Sequence, residues 1–148
     1  MRVLILAFML LVFTGCKDKT PPVTIELHDG NVLQAAAWQG KWVYINYWAE
    51  WCKPCAAEIP ALNAFAKANP DVILLGVNFD KVRDVELLRQ VNLFHIDYGV
   101  VISDIQSAFP HPLPSGLPAT LVYDPSGKLV QTLSGPQTVE SLQAAMQP

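Results

Sequence analysis

The sequence predicts an α/β domain with a central mixed β-sheet flanked by helices, and three observations predict it. Trp42 to Tyr47 is an apolar run of strand character that gives way to helical composition from Lys53 to about Ala68. Val72 to Val77 follows as a continuous apolar run bounded by Asn69-Pro70-Asp71 and Asn78, the pattern of a strand buried on both faces of a parallel sheet. Strand, helix and strand in that order make a right-handed βαβ unit. Further on, Ala119 to Tyr123 and Lys128 to Leu133 flank Asp124-Pro125-Ser126-Gly127, a turn signal that makes them an antiparallel hairpin. A chain of 148 residues, 51% hydrophobic, suits one domain with one core.

The remaining elements follow in chain order. Val3 to Phe13 is an uninterrupted apolar run preceded by Arg2 and followed by Thr14-Gly15-Cys16, the layout of a secretory signal with small residues at its cleavage point. It is too short to span a bilayer, which needs about 20 residues. Residues 1–15 therefore read as a signal peptide, 16–22 as a tether and 23–148 as the folded domain. Lys17 to Pro22 is polar and ends in two prolines, and six extended residues reach roughly 20 Å. Val23 to Leu27 alternates as a strand, and His28-Asp29-Gly30-Asn31 turns the chain toward a short partner strand at Val32-Leu33. In the first long helix Ile59, Leu62, Phe65 and Ala66 form a core-facing stripe, and Pro60 is expected to kink it. Val82, Val85, Leu88 and Val91 recur among charges and predict a second amphipathic helix. Tyr98 to Ile102 returns as a strand, with a short helix near Asp104 to Phe109. Pro110 to Pro118 carries four prolines and can donate few backbone hydrogen bonds, so it is a rigid loop. Thr138 opens a last helix with Val139, Leu142 and Met146 on its apolar side.

The chemistry centres on Trp51-Cys52-Lys53-Pro54-Cys55, where strand gives way to helix and two thiols can close a disulfide across one helical turn. A Cys at a helix N-terminus faces unpaired backbone N–H groups and the positive end of the dipole, and both favour the thiolate. Cys52, expected at the helix start with an exposed sulfur, is the candidate attacking thiol and Cys55 the resolving one. Pro54 fits the first turn, where a missing N–H costs little. A structural disulfide and half of a zinc site are the alternatives. Zinc needs two further Cys or His ligands at matching spacing, and the chain has no second Cys pair. The formal net charge is −3, with no basic run to bind nucleic acid and no polybasic patch for a lipid surface.

Asn46-Tyr47-Trp48-Ala49-Glu50-Trp51-Cys52-Lys53-Pro54-Cys55, followed by Glu58-Ile59-Pro60 and by Gly116-Leu117-Pro118-Ala119-Thr120, resembles the thioredoxin superfamily, and within it the TlpA-like thiol-disulfide oxidoreductases of bacterial envelopes. The resemblance covers nearly all of residues 22–147 and implies a thioredoxin-like fold, with a TlpA-like central insertion from about Asp80 to Phe109. Phe13-Thr14-Gly15-Cys16 is similar to the lipobox of bacterial lipoproteins, with Phe13 where Leu is usual. That likeness implies a lipidated Cys16 as mature N-terminus, anchored at the membrane on the periplasmic side of the cell envelope; ordinary signal cleavage is the alternative.

The same resemblance implies a cis peptide at Leu117-Pro118 facing the thiols. Pro118 would shield the sulfurs from metals while the backbone of Leu117 pairs with an extended substrate chain by strand addition; a trans proline in a stiff loop is the alternative. Thioredoxins proper bury an Asp six residues before the first Cys, where this chain has Asn46, which cannot titrate. Glu58, three residues after Cys55 where TlpA-like proteins commonly carry a Glu, becomes the candidate proton acceptor. Its alternative role is an early-turn acid favourable to the helix dipole and nothing more. Trp51 and Trp48 read as an apolar surface for partner proteins, with Trp48 equally placed to be core. Lys53 favours the Cys52 thiolate or is a solvated charge, and Glu50 reads as surface. His28 belongs to a turn and His95 to the surface, whereas the loop of His111 leads into Pro118.

The implied function is a membrane-tethered reductase of protein disulfides outside the cytoplasm, with no cofactor. It would be fed by a transmembrane electron donor and act on a substrate such as apocytochrome c, in cytochrome c maturation, or a copper-site Cys pair. An oxidase or isomerase would carry the same motif. A second class is a copper-binding chaperone resembling the Sco type and using Cys52, Cys55 and His111. Those proteins separate the Cys pair by three residues where this chain has two, and Pro118 over the sulfurs discourages metal. A peroxidase of this fold has Thr three residues before its reactive Cys, and Ala49 stands there instead.

Overall fold

The computed structural model describes residues 23–147. The signal peptide at 1–15, the tether at 16–22 and the acylated Cys16 expected from the sequence lie outside the described residues. The domain opens with a two-stranded antiparallel pair, β1 (Thr24–Glu26) and β2 (Val32–Gln34). Asp29 closes the turn between them by accepting from the backbone N–H of Asn31 at 3.0 Å, and Gly30 takes a φ of 85° that suits glycine. One turn of 3-10 helix, Ala35–Ala37, leads to β3 (Val43–Trp48). There follow α1 (Lys53–Ala68), which continues as helix past Pro60, β4 (Ile73–Asn78), α2 (Asp84–Phe94) and β5 (Gly99–Val100). After a 3-10 turn at Ile105–Ser107 and the proline loop come β6 (Ala119–Tyr123), β7 (Leu129–Ser134) and α3 (Val139–Ala144).

Five strands form one mixed sheet in the order β5-β4-β3-β6-β7. β3 pairs parallel with β4 from Val43 opposite Ile73 to Trp48 opposite Asn78, and antiparallel with β6 from Val43 opposite Tyr123 to Tyr47 opposite Ala119. This central position explains why every residue of β3 is buried. Because successive side chains leave a strand on opposite faces, β3 divides the core in two. Tyr44 and Trp48 pack under Cys55, Ile59, Leu62 and Phe65 of α1, together with Leu87 and Val91 of α2 and Leu142 of α3. Val43, Ile45 and Tyr47 pack on the other face with Ile25, Ile105 and Phe109. The Tyr44 hydroxyl donates to the carbonyl of Leu142 at 2.8 Å and so docks α3 on the first face.

The second helix differs from expectation in which face it buries. Val85 is 81% exposed and Leu88 is exposed too, while Leu87, Gln90 and Val91 are buried. The physical reason is helical geometry. Leu87, Gln90 and Val91, at i, i+3 and i+4, share one face, whereas Val85 lies about 160° and Leu88 about 100° around the helix from Leu87, and Val82 precedes the helix.

Candidate active site

The end of β3 and the start of α1 build the site. Cys52 takes an extended backbone conformation (φ −85°, ψ 92°) as the N-cap of α1, and its Sγ accepts from the backbone N–H of Cys55 at 3.2 Å. Pro54 occupies the first turn, where its missing N–H leaves no bond unmade. The two sulfurs are joined as a disulfide of 2.02 Å, with the Cα atoms 5.2 Å apart. In this closed form Cys52 is only 3% exposed, so the exposed sulfur expected from the sequence is not present, and it is the neighbouring Trp51 that faces solvent, 65% exposed. Asymmetry between the cysteines therefore rests on the helix terminus: Cys52 has an N–H aimed at its sulfur, and Cys55 lies fully buried within the first turn.

Glu58, one turn beyond Cys55 on α1, is almost fully buried. Its Oε1 accepts from Asn46 Nδ2 at 2.7 Å, and its Oε2 accepts from the backbone N–H of Gln137 at 2.8 Å. Asn46 also donates to Thr120 Oγ1 at 3.0 Å. Burial pushes the Glu58 carboxyl above its ordinary value, and the two hydrogen bonds pull it back. Burial, with the Glu58 charge as a second cause, raises the Tyr98 hydroxyl, which reaches Asn46 Oδ1 at 3.5 Å. Asn46 thus does not replace the usual acid; it holds the one that is present. Tyr98, Thr120 and Gln137 escaped sequence reasoning. Only Thr120 left a trace, in the motif with Pro118, and the Gln137 contact comes from a backbone N–H, which carries no sequence signal.

The Leu117–Pro118 peptide is cis, and Pro118 is buried at the start of β6. Since Ala119 stands opposite Tyr47, this peptide lies at the same end of the sheet as the turn that carries the cysteines. Among the described residues no hydrogen bond is made by the backbone N–H or C=O of Leu117. Trp51 donates through Nε1 to Asp80 Oδ2 at 2.9 Å, which fixes the exposed indole beside Cys52. Trp48 is core and packs edge-on to Phe94.

His111 does not join the thiols. Its Nε2 lies 2.7 Å from the Tyr47 hydroxyl, and its Nδ1 lies 2.5 Å from the carbonyl of Phe109 and 3.0 Å from the Tyr123 hydroxyl. Tyr47 points to the sheet face opposite α1, so the imidazole sits across the sheet from the cysteines. Burial lowers its pKa, against the Phe109 hydrogen bond and the Asp104 charge, which raise it. The copper-chaperone reading with Cys52, Cys55 and His111 as ligands is therefore corrected: among the described residues no three His, Cys, Asp or Glu side chains converge as a metal site.

Comparison with known proteins shows the family and the fold. A family model described as the AhpC/TSA family matches residues 16–138. The thiol-disulfide oxidoreductase ResA of Bacillus cereus (strain ZK / E33L) is 29% identical over 126 residues, covering 80% of this chain and 69% of that protein. Among solved structures, StoA from Bacillus subtilis superposes with a TM-score of 0.67 at 20% identity, covering 82% of this chain and 93% of that one. An exposed lipoprotein thioredoxin from Streptococcus pneumoniae gives 0.62 at 22% identity, over 84% and 96%. At these identities the solved structures establish the fold.

Proposed function

The chain belongs to the AhpC/TSA family of thioredoxin-like proteins, and from that premise we propose that it reduces protein disulfides in a bacterial cell envelope through Cys52 and Cys55. It is a thiol-disulfide oxidoreductase. One observation carries the reading: the Cys52–Cys55 pair caps α1, with the Cys55 N–H aimed at the Cys52 sulfur.

The reaction balances as two electrons and two protons. The Cys52 thiolate attacks one sulfur of a substrate disulfide, forming a mixed disulfide and releasing the second substrate sulfur, which takes up a proton. Cys55 then gives its proton to Glu58 and attacks the Cys52 sulfur. The Cys52–Cys55 bond forms, and the remaining substrate sulfur leaves and is protonated in turn. Glu58 suits the acceptor role because its carboxylate is held by Asn46 and Gln137 one helical turn from Cys55. The free backbone of Leu117 beside the cis Pro118 offers an edge to an extended substrate chain, and Trp51 adds an apolar contact.

The finer reading has a lipid-anchored Cys16, a tether over 16–22, a transmembrane electron donor, and a substrate such as apocytochrome c or a copper-site Cys pair. It draws support from the Phe13-Thr14-Gly15-Cys16 sequence and from likeness to a protein described as an exposed lipoprotein. Direction is tested by the reduction potential of Cys52–Cys55. A reductase is expected well below the potential of strong envelope oxidants, about −120 mV; a value at or above that level would make the protein an oxidase.

A further inference from the structure

Glu50, two residues before Cys52, is held from a distance in sequence. Arg89 Nη2 of α2 donates to Glu50 Oε2 at 2.5 Å and to Glu86 Oε1 at 2.6 Å, while Arg89 Nε donates to Glu86 Oε2 at 2.9 Å. The adjacent Gln90 is buried, and both ends of its amide are spent. Its Nε2 donates to Glu50 Oε2 at 3.0 Å and Glu86 Oε1 at 2.8 Å, and its Oε1 accepts from Asn78 Nδ2 at 2.9 Å. Asn78 closes β4 directly opposite Trp48. A continuous polar chain therefore runs from the end of β4 through α2 to the turn that carries the dithiol. The charged and titratable groups around that turn are Glu50 itself, Asp80 bonded to Trp51, Lys53 on the first helical turn, the buried Glu58 one turn past Cys55, and Glu86 with Arg89 on α2. Of these, Glu50 is the carboxylate nearest Cys52 in the chain, and Arg89 is the cation paired with it.

We propose that Arg89 is a positioning residue for the dithiol, acting through Glu50. With Gln90 it holds the Glu50 carboxylate on α2 and neutralises it, so that the Cys52 thiolate forms without an unpaired negative charge two residues away. An ordinary exposed ion pair contributes little to stability, because solvent screens it and side-chain entropy opposes it. Its effect on a neighbouring thiolate is a different quantity, read in the thiol titration and unmoved by fold stability. The inference rests on Cys52 being the attacking sulfur.

The test is titration of the reduced protein by thiolate absorbance and by rate of alkylation, with the modified Cys located by mass spectrometry. In the unsubstituted protein alkylation must fall on Cys52. If it falls on Cys55, the reading of the dithiol fails before any variant is made. Arg89→Ala is expected to raise the Cys52 pKa and lower the thiolate fraction near neutral pH by about two- to threefold, the scale of one solvent-screened charge within a Debye length. Glu50→Gln alone, with Arg89 in place, should move the fraction the other way. The double variant Glu50→Gln/Arg89→Ala should return close to the unsubstituted value, and high salt should shrink every difference. An Arg89→Ala titration that overlays the unsubstituted protein, or a loss that persists unchanged in the double variant, overturns the proposal.

Discussion

Glu58 is caught between opposed effects, and its pH behaviour follows from which prevails. Burial raises its carboxyl above the ordinary 4.5, although both oxygens accept hydrogen bonds that the carboxylate takes best. A folded value above the unfolded one means that the acid form contributes stability fully below about 4.5, and that this contribution is lost as pH rises through the raised value. Glu58→Gln has no charge to bury. The difference in unfolding free energy, measured by chemical denaturation at about pH 4 and about pH 8, should therefore move in favour of the variant as pH rises. In the proposed reduction the same carboxylate must be ionised to take the Cys55 proton. Resolution of the mixed disulfide should then rise with pH as Glu58 ionises, and Glu58→Gln should lose that limb. A pH-rate profile overlaying the unsubstituted protein would leave Glu58 with no part in proton transfer. The sequence pointed to Glu58 through its spacing from Cys55. It showed Asn46 only as a missing acid, because the groups that Asn46 gathers come from other elements: Thr120 is 74 positions away on β6 and Glu58 lies on the next helix. His111 was misplaced for a related reason. Closeness in sequence to Pro118 does not say which face of the sheet a side chain takes.

At the scale of elements, the long strands and α1 were legible because apolar runs of strand length bounded by turn residues read as strands, and Ile59, Leu62 and Ala66 at steps of three and four read as one helix face. The stripe of α2 misled because its buried face includes the polar Gln90, which an apolar count passes over, while Val85 and Leu88 lie on other sides of the helix. The predicted strand at Tyr98 to Ile102 shrinks to Gly99–Val100, since it pairs with β4 only at Leu75 and Gly76 before Val101 turns to bridge Leu27. Gly76 shows what an interior strand glycine signals. A Cβ there would lie 3.1 Å from Tyr98 Cε2, 3.2 Å from Trp48 Nε1 and 3.2 Å from Val100 Cγ2, three walls that meet over β4. Gly76→Ala is accordingly expected to cost about 1–3 kcal/mol, read as a lower urea midpoint at unchanged slope. An unchanged midpoint would mean that Tyr98 yields without loss.

For the molecule as a whole, the proposed anchor decides where the dithiol can work. If Cys16 is anchored as proposed, six extended residues would allow a reach of roughly 20 Å, which would keep the domain close to a membrane-embedded donor and raise the effective concentration of one for the other. A fold of this kind, with its redox pair on one edge, needs no contact with the anchor to carry out exchange. Anchoring and chemistry should therefore separate cleanly. Cys16→Ser, expressed with its leader in a bacterial host, is expected to leave the membrane fraction, while the purified domain still reduces a test disulfide at the unsubstituted rate when a small dithiol supplies electrons. In cells, by contrast, the Cys52–Cys55 pair of the variant should accumulate as disulfide, as seen by alkylation of trapped thiols, because the proposed donor would stay in the bilayer. Mass spectrometry of the mature N-terminus makes the matter decisive: acyl chains on Cys16 support the anchor, and a chain beginning elsewhere with an unmodified or absent Cys16 removes it while leaving the dithiol chemistry untouched.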